Sequence, residues 1–403
     1  MPKVYSTSAN SVRRQQKAAE RTNIKLLRYV LDHPGATCKG AAEDLGMSFP
    51  NVFRLVAGFR ESGILLGGRQ KQTGKRGPWS QVITLRPDLG CSIGVDLEAT
   101  HVRGVILDFA NNVTCARRQP IAPTAGRAEI VSAVAQIARE LTETARAHRL
   151  NVCSLGLALP GPVLDVRRGR VRTELQSGED VLEFAPEVER TCGTAVIAAA
   201  NSYCFAVGHH RMHNPRDTGI EMLVLNRFGL AAAVAWNGQL YTGASHYAGD
   251  LGLLPCGTTS PPRRYHDVCT GAALLRLARL HGDQRSFQEL LASPEDSLVQ
   301  EWLREAVPAF AEAIYTGILV YNPHRVLIEG IFSRFPAGIR QTILETVTKQ
   351  VARSGNLLPE IRFVEGDDLM GARGAALMAR DSTADEAIRN IILSTAPANA
   401  DGD

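Results

Sequence analysis

The chain has 403 residues, 44% of them hydrophobic and 21% charged, with a formal net charge of +4. That is too long for one small module and apolar enough for a sizeable core, so a soluble protein of two or three domains is expected. No run approaches the ~20 apolar residues of a membrane span, no signal-peptide core is visible, and the eight scattered cysteines form no C-x-x-C pair; a cytoplasmic protein without membrane contact is expected.

The charge is uneven. Residues 1–88 hold 15 Lys and Arg against 6 Asp and Glu, or +9, and the other 315 residues hold 30 against 35, or −5. The front of the chain is the candidate polyanion-binding end. Its first segment, residues 1–21, carries Arg13, Arg14, Lys17 and Arg21. Such an arm either adds phosphate contacts or is disordered, and the sequence leaves both open.

From Ile24, the residues Leu27, Val30 and Leu31 recur at helical spacing and predict a first helix ending before Pro34 and Gly35. Thr37 is placed to cap a second helix carrying Ala41, Ala42 and Leu45, with Gly46 as its stop signal. Ser48 is expected to cap a third, with Pro50 tolerated in its first turn. There Val52, Leu55, Val56 and Phe59 form one buried stripe, while Asn51, Arg54 and Gly58 share another face. Asn pairs bidentately with adenine and Arg with guanine, each good pair worth ~1–3 kcal/mol of discrimination.

Beyond Gly63, the cations Arg69, Lys71, Lys75 and Arg76 lie between Leu65-Leu66 and the strand-like run Val82 to Leu85. That pattern predicts a β-hairpin wing whose tip meets backbone phosphates or a minor groove. Residues 22–88 therefore read as a winged helix-turn-helix for double-stranded DNA, with Lys39, Ser48, Asn51, Arg54, Lys75 and Arg76 as the candidate contacts.

From Gly90 the pattern becomes strand, strand, a turn at Asn111-Asn112, strand, a helix from about Arg127 to Ala147, then a strand from Leu155 to Leu159, which marks an α/β domain. Several landmarks follow in order: Asp96-Leu97-Glu98-Ala99-Thr100, the Leu159-Pro160-Gly161-Pro162 turn, Asn201, the run Asn237 to Ala244, Ala248-Gly249-Asp250-Leu251-Gly252, and Gly371-Ala372-Arg373-Gly374-Ala375-Ala376. In these the chain resembles the ROK family, named for repressors, open reading frames and kinases. The resemblance implies an α/β fold, a winged helix-turn-helix followed by a two-lobed actin-like (ribonuclease H-like) domain over residues 89–380. Residues 381–403 turn polar and small and are expected to fray.

Four departures from the family pattern argue against kinase chemistry. Where the kinases have the glycine of D-x-G-x-T, which lets backbone N–H groups approach the nucleotide phosphates, this chain has Glu98. A carboxylate ~6 Å from a phosphate charge repels it by about 3 kcal/mol at an effective dielectric near 20, roughly a hundredfold in affinity. The family's catalytic aspartate, a general base worth ~10²–10⁴ in rate, is replaced by Ala199. The second phosphate loop reads Asn226-Arg227-Phe228-Gly229, and the late glycine pair reads Glu329-Gly330. No catalytic residue is therefore expected.

The resemblance also implies a structural zinc in many members, but here the histidine position is Leu253 and the cysteine run has become CGTTSPPRRYHDVC, leaving Cys256, His266 and Cys269. No metal and no cofactor are expected, and the two cysteines read as small buried hydrophobes. Of the sugar-binding positions, Asn201 and Asp250 remain, with His266 near a family glutamate, and the loop Glu174 to Glu179 is unfamiliar. These three residues are the candidate effector contacts for a sugar or sugar derivative.

The run Val299 to Leu319 predicts a long helix that Pro308 should kink or break. The reading is a transcriptional regulator, a repressor of carbohydrate-related genes, acting as a homodimer or homotetramer. Its rivals are a ROK sugar kinase with an appended DNA-binding domain and a repressor controlled by another protein.

Overall fold

Three helices and a hairpin build the front of the molecule. The structure, a computed structural model, describes residues 6–33, 35–70, 80–122, 125–173, 180–213, 219–237, 239–244, 248–257 and 262–395. Helix α1 spans Ser6–Asp32, α2 Cys38–Leu45 and α3 Phe49–Glu61; strands β1 (Leu65–Gln70) and β2 (Ser80–Leu85) pair antiparallel. The Thr37 hydroxyl accepts from the Gly40 amide at 3.1 Å, and Gly46 ends α2 at φ 63°, a left-handed conformation cheap only for glycine. Ser48 starts α3 in extended conformation, but its side chain makes no cap hydrogen bond, contrary to expectation. The hairpin is the expected one, while its tip, with Lys75 and Arg76, lies outside the described residues.

Strands β3 (Cys91–Leu97), β4 (His101–Asp108) and β5 (Val113–Pro120) form an antiparallel meander. Its second turn holds Asn111 at φ 67°, with the Asp108 carboxylate accepting from the Ala110 and Asn112 amides. Helix α4 (Arg127–Ala147) leads to β6 (Val152–Leu159). A small antiparallel sheet of β7 (Val163–Asp165), β8 (Arg170–Thr173) and β9 (Asp180–Glu183) follows, then α5 (Ala185–Cys192), β10 (Val196–Ala200) and α6 (Asn201–His213). The first-lobe sheet has the order β10-β6-β3-β4-β5, with β3, β6 and β10 parallel.

The second lobe repeats the plan with β11 (Ile220–Asn226), β12 (Leu230–Trp236), β13 (Gln239–Tyr241), the short pair β14 (Pro255–Cys256) and β15 (Arg263–Arg264), and helices α7 (Gly271–Leu280), α8 (Phe287–Leu291) and α9 (Ser297–Tyr321). Strand β16 (Arg325–Gly330), helices α10 (Ile331–Arg334) and α11 (Ala337–Ser354) and β17 (Glu360–Phe363) complete it, and the chain then returns to the first lobe in α12 (Met370–Thr395). Its sheet has the order β13-β12-β11-β16-β17. Helix α9 runs unbroken through Pro308, so the expected break is absent. Its buried face, with Trp302 and Phe310, packs on Phe332 to form the second-lobe core.

Small residues let α12 lie directly on the first sheet. A Cβ on Gly94 would stand 1.9 Å from the Ala372 carbonyl oxygen, one on Gly156 2.0 Å from that of Ala375, and one on Gly374 1.6 Å from that of Cys204 in α6. Backbone meets backbone at all three contacts, so no side chain can yield.

Of the tail expected over residues 381–403, residues 381–395 are instead the second half of α12, and the rest lie outside the described residues. Ala384, Ile388 and Ile391 recur at i, i+4 and i+7 and are buried in the same cluster as Leu27, Val52 and Ile83 of the front module. Polar composition hid an apolar stripe. Of the two alternatives for the arm, disorder does not hold from Ser6 onward, where it is the first part of α1.

Candidate functional site

The cleft between the lobes is bridged by charge. Glu98 follows β3 on the first lobe, Arg227 occupies the turn between β11 and β12 on the second, and Glu329 is the penultimate residue of β16. The Arg227 guanidinium donates to both Glu329 oxygens, at 2.9 and 3.0 Å, and through Nη1 to Glu98. Arg103 of β4 donates to the other Glu98 oxygen at 2.7 Å. The Phe205 ring of α6 lies under Arg227, 4.9 Å from its carbon centre. Glu329 and Arg103 are 1% and 5% exposed, so these are low-dielectric pairs in which geometry and partner count decide the energy.

Burial pulls Glu98, Arg227 and Arg103 toward their neutral forms, and their partners outweigh it. Burial raises the Glu98 pKa, but Arg227 and Arg103 bring it below the ordinary value. Burial lowers Arg227, but Glu98 and Glu329 hold it above the ordinary value. Asp96 is the exception. It is 2% exposed, its Oδ1 has no hydrogen-bond partner among the described residues, and burial followed by the Glu98 charge pushes its pKa up to about 7 against Arg227 and Arg103. The first turn of α12 covers it, since a Cβ on Gly371 would lie 2.4 Å from Asp96 Oδ2.

This corrects the electrostatic expectation for Glu98. Its carboxylate is not a free repulsive charge, because two guanidiniums compensate it. Three donor nitrogens of Arg227 serve carboxylates, and Glu98 ties the lobes together through them.

Ala199 lies in β10 beside a cavity of about 40 Å³ lined by Ala199, Ala200, Tyr203, Ala232, Leu240 and Tyr241. A few waters fit such a space, whereas small-molecule sites run to ~300–1,000 Å³. None of Asn201, Asp250 and His266 lines it. Asn201 begins α6, half-buried. Asp250 precedes the turn Leu251–Leu253, where burial pushes its pKa up to about 6 against the pull of Arg264. His266 sits in the turn Tyr265–Asp267, its ring 3.7 Å from where a Gly229 Cβ would stand. The loop Glu174 to Glu179 lies outside the described residues. The Cys269 thiol is buried and donates to the Tyr265 carbonyl at 3.2 Å, as a packed hydrophobe would. Among the described residues, no group of three or more His, Cys, Asp and Glu side chains is arranged to hold a metal.

In the front module, α3 buries Val52, Val56 and Phe59, with Leu55 half-buried. The opposite side exposes Arg54 and Gly58, and Arg54 Nη2 donates to Asn51 Oδ1 at 2.9 Å. Asn51 is half-buried, Ser48 exposed, and the Lys39 side chain extends into solvent 3.8 Å from Glu43. Sequence reasoning passed over Phe49 and Phe53, which are 51% and 53% exposed with ring centroids 6.2 Å apart. Spacing alone hid them, because Phe49, Val52, Phe53 and Val56 fall at i, i+3, i+4 and i+7 along the edge of the α3 stripe.

The ROK family model matches residues 92–382. A protein of Sinorhizobium fredii (strain NBRC 101917 / NGR234), "Uncharacterized protein y4fQ", is 22% identical over 338 residues, 81% of each chain. A crystal structure described as a ROK family transcriptional regulator, homolog of the E. coli MLC protein, covers 93% of this chain and 99% of its own at 14% identity and TM-score 0.69. The ROK hexokinase of Thermus thermophilus covers 73% of this chain and 99% of its own at 20% identity and TM-score 0.58. A ROK glucokinase of Streptomyces griseus, solved with glucose and AMPPNP, covers 72% and 100% at 17% identity and TM-score 0.57. At these identities the solved structures share the fold with this chain, and the regulator match extends further along it than the kinase matches do.

Proposed function

The chain belongs to the ROK family, and from that premise we propose that it is a sequence-specific DNA-binding transcriptional regulator, a repressor of carbohydrate-related genes, built on a body that has lost phosphoryl transfer. The observation that carries the reading is helix α3, whose inner side is locked into a core while its outer side offers Arg54 to solvent, in a front segment (residues 1–88) of net charge +9. Helix α3 is the recognition helix. Residues 22–88 are the DNA-binding unit, flanked by the earlier turns of α1 and completed by the second half of α12. Lys39, Ser48, Lys75 and Arg76 contact phosphates, and Arg54 and Asn51 read bases. One head makes few base contacts, so the cytoplasmic protein acts as a homodimer or homotetramer on half-sites spaced by whole helical turns.

The Arg227 bridge and Ala199 support the absence of catalysis. A sugar effector at Asn201, Asp250 and His266 would bind between the lobes, which the Arg227 bridge ties together. Ligand binding would then act through its different affinities for the parted and bridged arrangements.

The experiment is selection of duplexes from a random pool, followed by titration at several salt concentrations. Arg54→Ala should relax sequence preference, whereas Lys39→Ala should weaken binding to all sequences and flatten the salt slope. Absence of duplex binding at low ionic strength, or ATP-dependent phosphorylation of glucose by the purified protein, contradicts the reading.

A further inference from the structure

We infer that Phe49 and Phe53 form an apolar ridge that reads thymine methyl groups in the major groove, so that the operator half-site carries thymines whose 5-methyl groups this chain requires. The inference rests on the DNA-binding reading above and adds to it a specificity determinant that neither the charge nor the polar residues of the helix supply.

Both residues lie in the first half of α3, five positions from end to end, and their i, i+4 spacing puts them side by side on one turn. The rings sit 6.2 Å apart with about half of each exposed, while Val52, Val56 and Phe59 face the core. Neither ring is needed to fill the module: the core cluster containing Leu26, Leu27 and Ile83 closes without them. Single exposed apolar side chains are ordinary on a surface. Two adjacent phenylalanines on a helix that also exposes Arg54, in a front segment (residues 1–88) of net charge +9, are a different matter, because water and phosphate both disfavour them there.

The N-terminal half of a recognition helix is the part that reaches base edges. In a major groove the polar edges suit Arg and Asn, and the apolar feature is the thymine C5-methyl, for which phenylalanine is a known type of contact. The polar readers are also partly engaged with each other. Asn51 Oδ1 accepts from Arg54 in the free protein, so a bidentate Asn51–adenine pair forms only once that bond is given up. The phenylalanines face no such competition. Burying one methyl against a ring contributes ~0.8 kcal/mol, which is about fourfold in affinity.

The test uses the full chain and its selected duplex, with thymines replaced one at a time by uracil, which removes the methyl and keeps every hydrogen bond. The unsubstituted protein should lose about fourfold at one or two positions in each half-site. Phe53→Ala and Phe49→Ala should bind the thymine duplex more weakly and respond less to uracil at those positions. Phe53→Leu, which keeps an apolar contact, should retain part of the response and serves as the folding control. Unchanged affinity on every uracil duplex overturns the inference, as does an equal uracil response in all the variants, which would put the methyl on another residue. If no duplex is selected at all, the DNA-binding reading falls with it; duplex binding without a methyl response leaves that reading standing.

Discussion

Arg227 and Glu98 face each other across the cleft, one from each lobe, and their hydrogen bond is part of a chain running from Arg103 through Glu98 and Arg227 to Glu329. The order of charges is +, −, +, −, so each inner member has two partners. Removing one member of a buried set leaves its neighbour's charge uncompensated, at a cost of ~3–5 kcal/mol. Arg227→Met should therefore lower the urea midpoint strongly, because Glu329 then has a buried charge without its fork. Adding Glu329→Gln to that variant should recover much of the loss. A double-mutant cycle measures the coupling, and additive effects would show that the bridge contributes nothing as a unit.

Asp96 gives the cleft a pH signature. Its pKa is pushed up to about 7 in the folded chain, so between the ordinary carboxylate value of ~4 and about 7 the folded state holds more protons than the unfolded one. Stability from this residue is greatest below that window, falls as pH rises through it, and levels off above. Glu98 acts in the opposite sense: its lowered pKa contributes stability that is present above the ordinary value and lost as pH falls through the folded one. Asp96→Asn should flatten the descent toward pH 7 and gain on the unsubstituted protein by ~1–3 kcal/mol at pH 8, where the buried charge is fully present. Denaturation profiles from pH 5 to 8 decide this, and parallel curves for the two proteins would refute it.

Helix α12 joins the body to the head. Its first half rests on Gly94, Gly156 and Asp96, its second half supplies Ala384, Ile388 and Ile391 to the head core, and Arg211 reaches from α6 to Asp381 at 2.7 Å and to Asp32 of α1 at 3.3 Å. Ile388→Ala should cost ~2–5 kcal/mol, as large-to-small changes in a packed core do. The loss should be local. Hydrogen exchange should speed up in α1 and α3, with the sheets of both lobes unaffected. Equal loss of protection throughout would mean that head and body unfold as one unit.

The local chemistry of the chain was legible in the sequence. Thr37 caps and Gly46 stops α2, the α3 stripe buries Val52 and Val56, and Asn111 turns the meander, because each is decided by neighbours within a few residues. The second half of α12 was not legible from composition, since its stripe is thinned by Asp381, Asp385 and Glu386, and only its partner in the head explains it. The cleft is the instructive case. Glu98, Arg227 and Glu329 were each visible as a departure from the glycine-rich kinase pattern, yet their joint meaning was missed. The replacements are acid, base and acid in three segments that the fold brings together, and that complementarity was the available signal. Sequence separations of 129 and 102 residues put the contacts beyond any periodicity argument.

Restoring the missing carboxylate should not by itself restore an enzyme. A positioned general base contributes ~10²–10⁴ in rate, but only to a substrate held within hydrogen-bond reach. In Ala199→Asp the new side chain would project beside a cavity of about 40 Å³, while Arg227 and Glu98 stay bonded across the cleft. The cavity beside the new carboxylate is smaller than a hexose needs, Arg227 is already bonded to carboxylates of both lobes, and both features are independent of the base. Ala199→Asp should therefore show no ATP-dependent phosphorylation of glucose in a coupled assay, and adding Glu98→Gly should not change that while Arg227 keeps its bonds to Glu329. Turnover by Ala199→Asp alone would mean that the lobes part readily in solution, and that the Arg227 bridge is too weak to keep the cleft closed.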